Sequence, residues 1–321
     1  MEILVCPGCR TATADRLDVR TLARTGDILA CECGRRYPIV GGVPVVFADP
    51  RGALAGEVTQ IVERDLDPDV AALLVESGPD DAPYPRLLEH LSIYMDAHWG
   101  DRAEPAVPPA ATELVARIAA RAAHRVALAV ELGCSTGRLL AELARGADHV
   151  VGVDLQHGVL RRAHRLLDGD PVAYARRQIG RHYSTAVARA GDRAVPAERR
   201  TLVCGDALDP PLISGLYGRV VALNVLDAVR QPHQLLAVMD GLCARGGEVI
   251  LASPYAWQSG FVDEDARFGG AEPAAALVEL LRRGLSVPYV IEEEAELGWT
   301  LRRDARGTAS YCIHYVRARK E

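Results

Sequence analysis

The run ELGCSTG, Glu131 to Gly137, puts an acid, two glycines and a hydroxyl where an apolar stretch gives way to helical spacing. Gly133 and Gly137 remove side chains where backbone must turn sharply and a ligand must come close. Asp154 ends the apolar run HVVGVD about twenty residues on, where its carboxylate can accept hydrogen bonds from both hydroxyls of a ribose. Strand, glycine turn, helix and acid in that order predict a nucleotide site. Ser135 stands where a dinucleotide turn would carry its middle glycine, so a pyrophosphate fits less well. A third element, CGDALDPP, sets Asp206 just past another apolar run, placed to accept from an adenine amino group.

Four cysteines form a second constellation. Cys6 and Cys9 lie in C-P-G-C, and Cys31 and Cys33 in C-E-C-G, within a segment with too few apolar residues for much of a core. Zinc held by four thiolates would stabilise such a module directly and leave no open coordination position, so its role would be structural. The second pair is C-x-C where zinc ribbons usually carry C-x-x-C. The other reading is a metal-free β module with buried thiols. The following RRYPIVGGVPV, Arg35 to Val46, resembles small zinc-ribbon proteins that partner or fuse with methyltransferases of tRNA and translation factors.

Candidates for handling a second substrate come from two places. YMDAHWGD puts Tyr94 and His98 four apart on one helix face, as a lid helix or as plain packing. SPYAW places Tyr255 and Trp257 after an apolar strand in a chain with only 5% aromatic residues, and Asp227 lies in NVLDAVRQP upstream. His98 and Asp227 are candidate bases; the rings of Tyr94, Tyr255 and Trp257 suit a cationic acceptor. His182 and Tyr183, in an Arg-rich stretch, are weaker candidates.

These residues need elements to hold them. From 111 onward, apolar strand candidates (Val126–Leu132, His149–Asp154, Thr201–Cys204, Val220–Asn224, Glu248–Ala252) alternate with helical spacing over Thr112–Ala123, Gly137–Ala144, Val159–Leu167 and Gln234–Cys243. That alternation predicts an α/β fold with a mostly parallel sheet covered by helices. Leu297–Arg303 and Ala309–Arg317 read as a closing antiparallel pair. The division expected is a zinc-ribbon module over 1–50, a linker with cap helices over 51–110 (helical patterning at Val58–Glu76 and Pro85–His98), and a catalytic domain over 111–321.

With 321 residues, 49% apolar and 25% charged, the chain has ample material for a core. Its net charge of −6 disfavours nucleic acid as a partner, although residues 161–200 hold ten Arg against four acids, read as a solvated face. No apolar run is long enough for a membrane span, no signal peptide is evident, and the cysteine pattern suits a reducing compartment, so a cytoplasmic protein is expected.

Glu131, Gly133, Asp154 and Asp206, in this order, resemble the class I S-adenosylmethionine-dependent methyltransferases over about residues 111–321. The resemblance implies a Rossmann-like seven-stranded sheet with a terminal antiparallel pair. It also implies a cofactor site of Glu131, Gly133, Ser135, Gly137, Asp154, Leu155, Asp206, Ala207 and Asn224, the methionine end lying against the glycine turn. NVLDAVRQP and SPYAW together resemble the methyltransferase portion of ovothiol-forming enzymes. That resemblance implies N-methylation of a small molecule such as an amino acid derivative; sequence order, apart from the resemblance, offers Tyr94, His98, Asp227 and Tyr255 as the catalytic set. The alternatives are an RNA or protein methyltransferase recruited through the ribbon, an enzyme using the cofactor's aminocarboxypropyl arm, and a non-enzymatic cofactor-binding scaffold.

Overall fold

The computed structural model describes residues 3–12, 17–50, 65–77, 83–108, 110, 112–258 and 262–321. The Val58–Arg64 part of the expected first helix, and Ser259–Phe261 after SPYAW, lie outside them. Seven strands build the central sheet: β1 (Val126–Leu132), β2 (Ala147–Asp154), β3 (Arg200–Cys204), β4 (Tyr217–Leu223), β5 (Cys243–Ser253), β6 (Tyr289–Arg302) and β7 (Thr308–Lys320). Their order is β3-β2-β1-β4-β5-β7-β6, with the first five parallel and β7 antiparallel to both neighbours. This is the mostly parallel seven-stranded sheet with a terminal antiparallel pair that the resemblance implies.

The inner strands read as nearly unbroken apolar runs because both faces of the sheet are covered. In β1, Ala129 joins one core cluster while Leu128, Val130 and Leu132 join the other. The first face is covered by α3 (Thr112–Ala120), α4 (Arg138–Leu143) and α5 (His157–Leu167), through Leu114, Ile118, Leu139, Leu143 and Leu160. The second is covered by α6 (Pro232–Leu242) and α7 (Pro273–Glu279), through Leu235, Met239 and Leu277. For the sheet and the helices that cover it, expected and observed bounds agree within a few residues, except that β5 and β6 begin well before their expected starts. In β6 exposed positions such as Glu292, Glu294 and Glu296 alternate with more buried ones, showing one solvated face, while Glu293 falls on the less exposed side.

Two further helices precede the sheet, α1 (Pro68–Ser77) and α2 (Pro83–Trp99). The Arg-rich stretch, read from sequence as a solvated face, contains instead an antiparallel hairpin, Val172–Ile179 with His182–Ala188, extended by Ala103–Glu104. Each of its ten arginines has an intramolecular partner. Arg176 pairs with Asp96 at 2.8 Å, Arg161 and Arg162 with Asp65 at 2.6 and 3.0 Å, Arg177 with Glu89, Arg193 with Glu142, Arg200 with Asp168, and Arg189 with Glu104. Arg165, Arg181 and Arg199 donate to backbone carbonyls.

The N-terminal residues form short antiparallel strands, Ala23–Thr25, Ile28–Ala30, Arg36–Val40 and Val43–Pro44, beside a smaller pair. They dock on the β3 edge, where Val45 bridges Cys204 and Val46 N donates to Cys204 O at 2.9 Å. No helix among the described residues is long and apolar enough to cross a membrane.

Candidate active site

At the carboxyl end of β1 the chain enters a turn. Gly133 N and Cys134 N both donate to Val153 O on β2, at 2.7 and 3.1 Å. Gly133 has φ 77°, and a Cβ there would come within 2.4 Å of Val225 Cγ2, so both conformation and space demand glycine. Ser135 (φ 49°) and Asn224 (φ 56°) are likewise left-handed, at the ends of β1 and β4. Such conformations are costly in non-glycine residues and cluster where a site dictates the backbone. Asp154 closes the turn: Oδ2 accepts from Ser135 N at 2.8 Å and Oδ1 from Gln156 N at 2.9 Å. Each oxygen keeps lone-pair capacity for a ligand hydroxyl. Burial raises the Asp154 pKa against the pull of those backbone N–H donors.

Above this turn lies a cavity of about 330 Å³, lined by Glu131, Gly133, Ser135, Asp154, Asn224 and Asp227 from the sheet ends and by His90, Tyr94 and His98 from α2. Among the described residues that line it there is no Arg or Lys. Glu131 is fully buried with Oε2 unbonded; burial and the Asp154 charge push its carboxyl well above the usual range. Asn224 Oδ1 is also unbonded. His98 is buried with Nδ1 unbonded, and burial, helped by the Arg138 charge, lowers its pKa to about 4. It is therefore a neutral imidazole at physiological pH. The helix is tied to the turn beneath it: Trp99 Nε1 donates to Thr136 O at 2.8 Å, and Arg138 donates to His98 O at 3.1 Å and pairs with Asp101 at 2.8 Å.

Several expected residues sit elsewhere. Tyr255 does not line this cavity, because its own left-handed turn (φ 51°) sends the hydroxyl to His314 Nδ1 at 2.7 Å. Trp257 packs edge-on against Phe268. His182 is exposed on the hairpin, 3.1 Å from Glu76, and Tyr183 packs on the cluster around Val75 and Leu88. Asp227 lines the cavity, but its oxygens accept from Ser253 Oγ at 3.2 Å and Ala256 N at 3.0 Å; burial raises its pKa. Leu155, Asp206 and Ala207 are also outside the lining. The β2–β3 register pairs Cys204 with Asp154, and Asp206 follows two residues on, exposed, with Oδ1 accepting from Leu208 N at 2.8 Å.

Sequence reasoning missed His90, Gln156, Trp299 and Tyr311, all of which line the cavity. His90 was within reach, since His90, Tyr94 and His98 repeat at four-residue intervals on one helix face. Trp299 and Tyr311 face each other across the β6–β7 register, a pairing that no local pattern announces.

The four cysteine sulfurs lie within 4.8 Å of one another. Cys6 and Cys33 are 3.8 Å apart and Cys9 and Cys31 3.7 Å. A tetrahedral site with zinc–sulfur bonds of about 2.3 Å has edges of about 3.8 Å, so the cluster fits a metal ion of that kind.

Residues 130–251 match the family model described as "Methyltransferase domain". The chain carries an S-adenosylmethionine-dependent methyltransferase domain. Among solved structures it is similar to the N-methyltransferase NodS from Bradyrhizobium japonicum WM9 in complex with S-adenosyl-L-homocysteine, with 14% identity over 73% of this chain and 98% of that one and a TM-score of 0.45. It is also similar to magnesium protoporphyrin IX methyltransferase from Synechocystis PCC 6803, with 14% identity over 81% and 100% of the two chains and a TM-score of 0.42. No curated protein matches the chain.

Proposed function

We propose that the protein N-methylates a small molecule bearing an amine, such as an amino acid derivative, in the cavity beneath α2. The observation that carries this reading is the cavity lining: beside the residues read as holding the cofactor stand the Asp227 carboxyl and the buried neutral imidazole of His98, and no described residue lining the cavity supplies a cation. An amine gains from such a field, whereas a polyanion is repelled. Seven of the ten arginines over 161–200 pair with acids of the chain, which counts against the RNA alternative. The link to ovothiol-forming enzymes rested in part on Tyr255 and Trp257, and neither lines the cavity.

In this reading Glu131, Gly133, Ser135, Gly137, Asp154, Leu155, Asp206, Ala207 and Asn224 hold the cofactor, with Asp154 on the ribose. S-adenosylmethionine supplies a methyl group already activated by its sulfonium. The protein aligns and desolvates the acceptor. His98, held neutral, offers Nδ1 as a hydrogen-bond acceptor that orients the acceptor N–H, the proton released on transfer passes to water, and the Tyr94 ring stands on the same helix face for the cationic state of the amine. Cys6, Cys9, Cys31 and Cys33 hold a structural zinc ion. The division into 1–50, 51–110 and 111–321 belongs to the same proposal.

The test is incubation with methyl-labelled S-adenosylmethionine and a metabolite extract, with and without RNase. Label in small molecules and release of S-adenosylhomocysteine support the reading. Label confined to RNA or protein, or release of methylthioadenosine, overturns it.

A further inference from the structure

The cysteine module touches the methyltransferase sheet at one place above all, the loop after β3. Val46 N donates to Cys204 O at 2.9 Å, before the loop begins, and a Cβ on Gly205 would come within 3.2 Å of Val46 O. Beyond the loop, Val5 N donates to Pro211 O at 2.9 Å and Leu4 bridges Leu212. Between these points Arg10 pairs with Asp209 and donates to Pro210 O. The module thus grips both ends and the middle of the segment carrying Asp206 and Ala207. Gly205 N also donates to Asp154 O at 2.9 Å, so the same segment is tied to the strand end that closes the glycine turn. Arg10 directly follows Cys9, so a metal ion held by the four thiolates would fix the backbone from which its guanidinium reaches out.

We propose that Arg10 is a positioning residue of the cofactor site, through which metal occupancy of the cysteine module and affinity for the cofactor are linked. The inference rests on reading Asp206 and Ala207 as the adenine side of that site. Linkage is reciprocal: if the metal tightens cofactor binding, the cofactor tightens metal binding by the same factor. A module serving only to recruit a partner would show neither effect.

The experiment uses the full chain, S-adenosylhomocysteine as the probe, calorimetry for its Kd, and equilibrium competition with a chelator for the affinity for zinc. Arg10→Ala should weaken binding about tenfold, within the usual range of coupling between sites, with Arg10→Lys recovering part of it. In the wild-type chain saturating S-adenosylhomocysteine should raise the free chelator concentration that removes half the zinc at equilibrium by about the same factor. In Arg10→Ala that protection should vanish while zinc content stays equal to wild type. Wild-type affinity in Arg10→Ala, or zinc withdrawal from the wild-type chain that ignores S-adenosylhomocysteine, overturns the proposal. If Arg10→Ala fails to fold, the equilibrium zinc competition of the wild-type chain still decides. Asp154→Ala separates the two levels of the claim. Should it abolish binding while Arg10→Ala does not, only the linkage fails; should it bind as wild type, the cofactor site itself is misplaced.

Discussion

His98 shows how a single side chain acquires its chemistry from its surroundings. An unfolded histidine titrates near about 6.5, whereas burial holds His98 at about 4. The folded value is the lower one, so this residue's contribution to stability is full above about pH 6.5 and is lost as pH falls toward 4. By pH 4.5 the loss is roughly 2–3 kcal/mol. Urea unfolding at pH 7.5 and 4.5 should therefore show a smaller acid-induced loss in His98→Gln than in wild type; an equal loss in both would mean that His98 is not held neutral by burial. The four-residue spacing of Tyr94 and His98 made this pair legible in the sequence. Tyr255 misled because the same features that flagged it, an aromatic after a strand end, say nothing of a left-handed turn that directs its hydroxyl to His314.

At the scale of elements, α2 matters because it is fastened to the glycine turn and not merely laid over it. Thr136 is fully buried, and its carbonyl accepts from Trp99 Nε1. Trp99→Phe leaves that carbonyl unpaired and should cost about 1–3 kcal/mol, with weaker S-adenosylhomocysteine binding because the turn loses its brace. Thermal unfolding and calorimetry measure both, and unchanged values would mean that the helix does not hold the turn. The five parallel strands were readable because burial on both faces leaves an apolar run in the sequence. The hairpin at 172–188 was not, because Arg176 and Arg177 interrupt its apolar pattern. Their partners Asp96 and Glu89 lie on α2, about eighty residues earlier in the chain, where sequence order gives no hint of contact.

Across the whole molecule, seven of the ten arginines over 161–200 pair with acids of the chain and three donate to backbone carbonyls, while the cavity lining holds only acids and neutral groups. The net charge of −6 pointed the same way, but only the fold shows where the arginines go. The clustering of the four cysteines, in a geometry that fits a metal ion, was legible from their types and paired spacing. Its docking on β3 was not, because that contact is made by backbone groups at Val5, Val46, Cys204 and Pro211 that carry no sequence signature. The most direct test of the central claim is a crystal structure of the full chain with S-adenosylhomocysteine. Ribose hydroxyls within hydrogen-bond distance of the Asp154 carboxylate, and the homocysteine sulfur facing the space between Asn224 and His98, are the predicted result. A ligand bound away from Asp154, or a sulfur turned from His98, would contradict it.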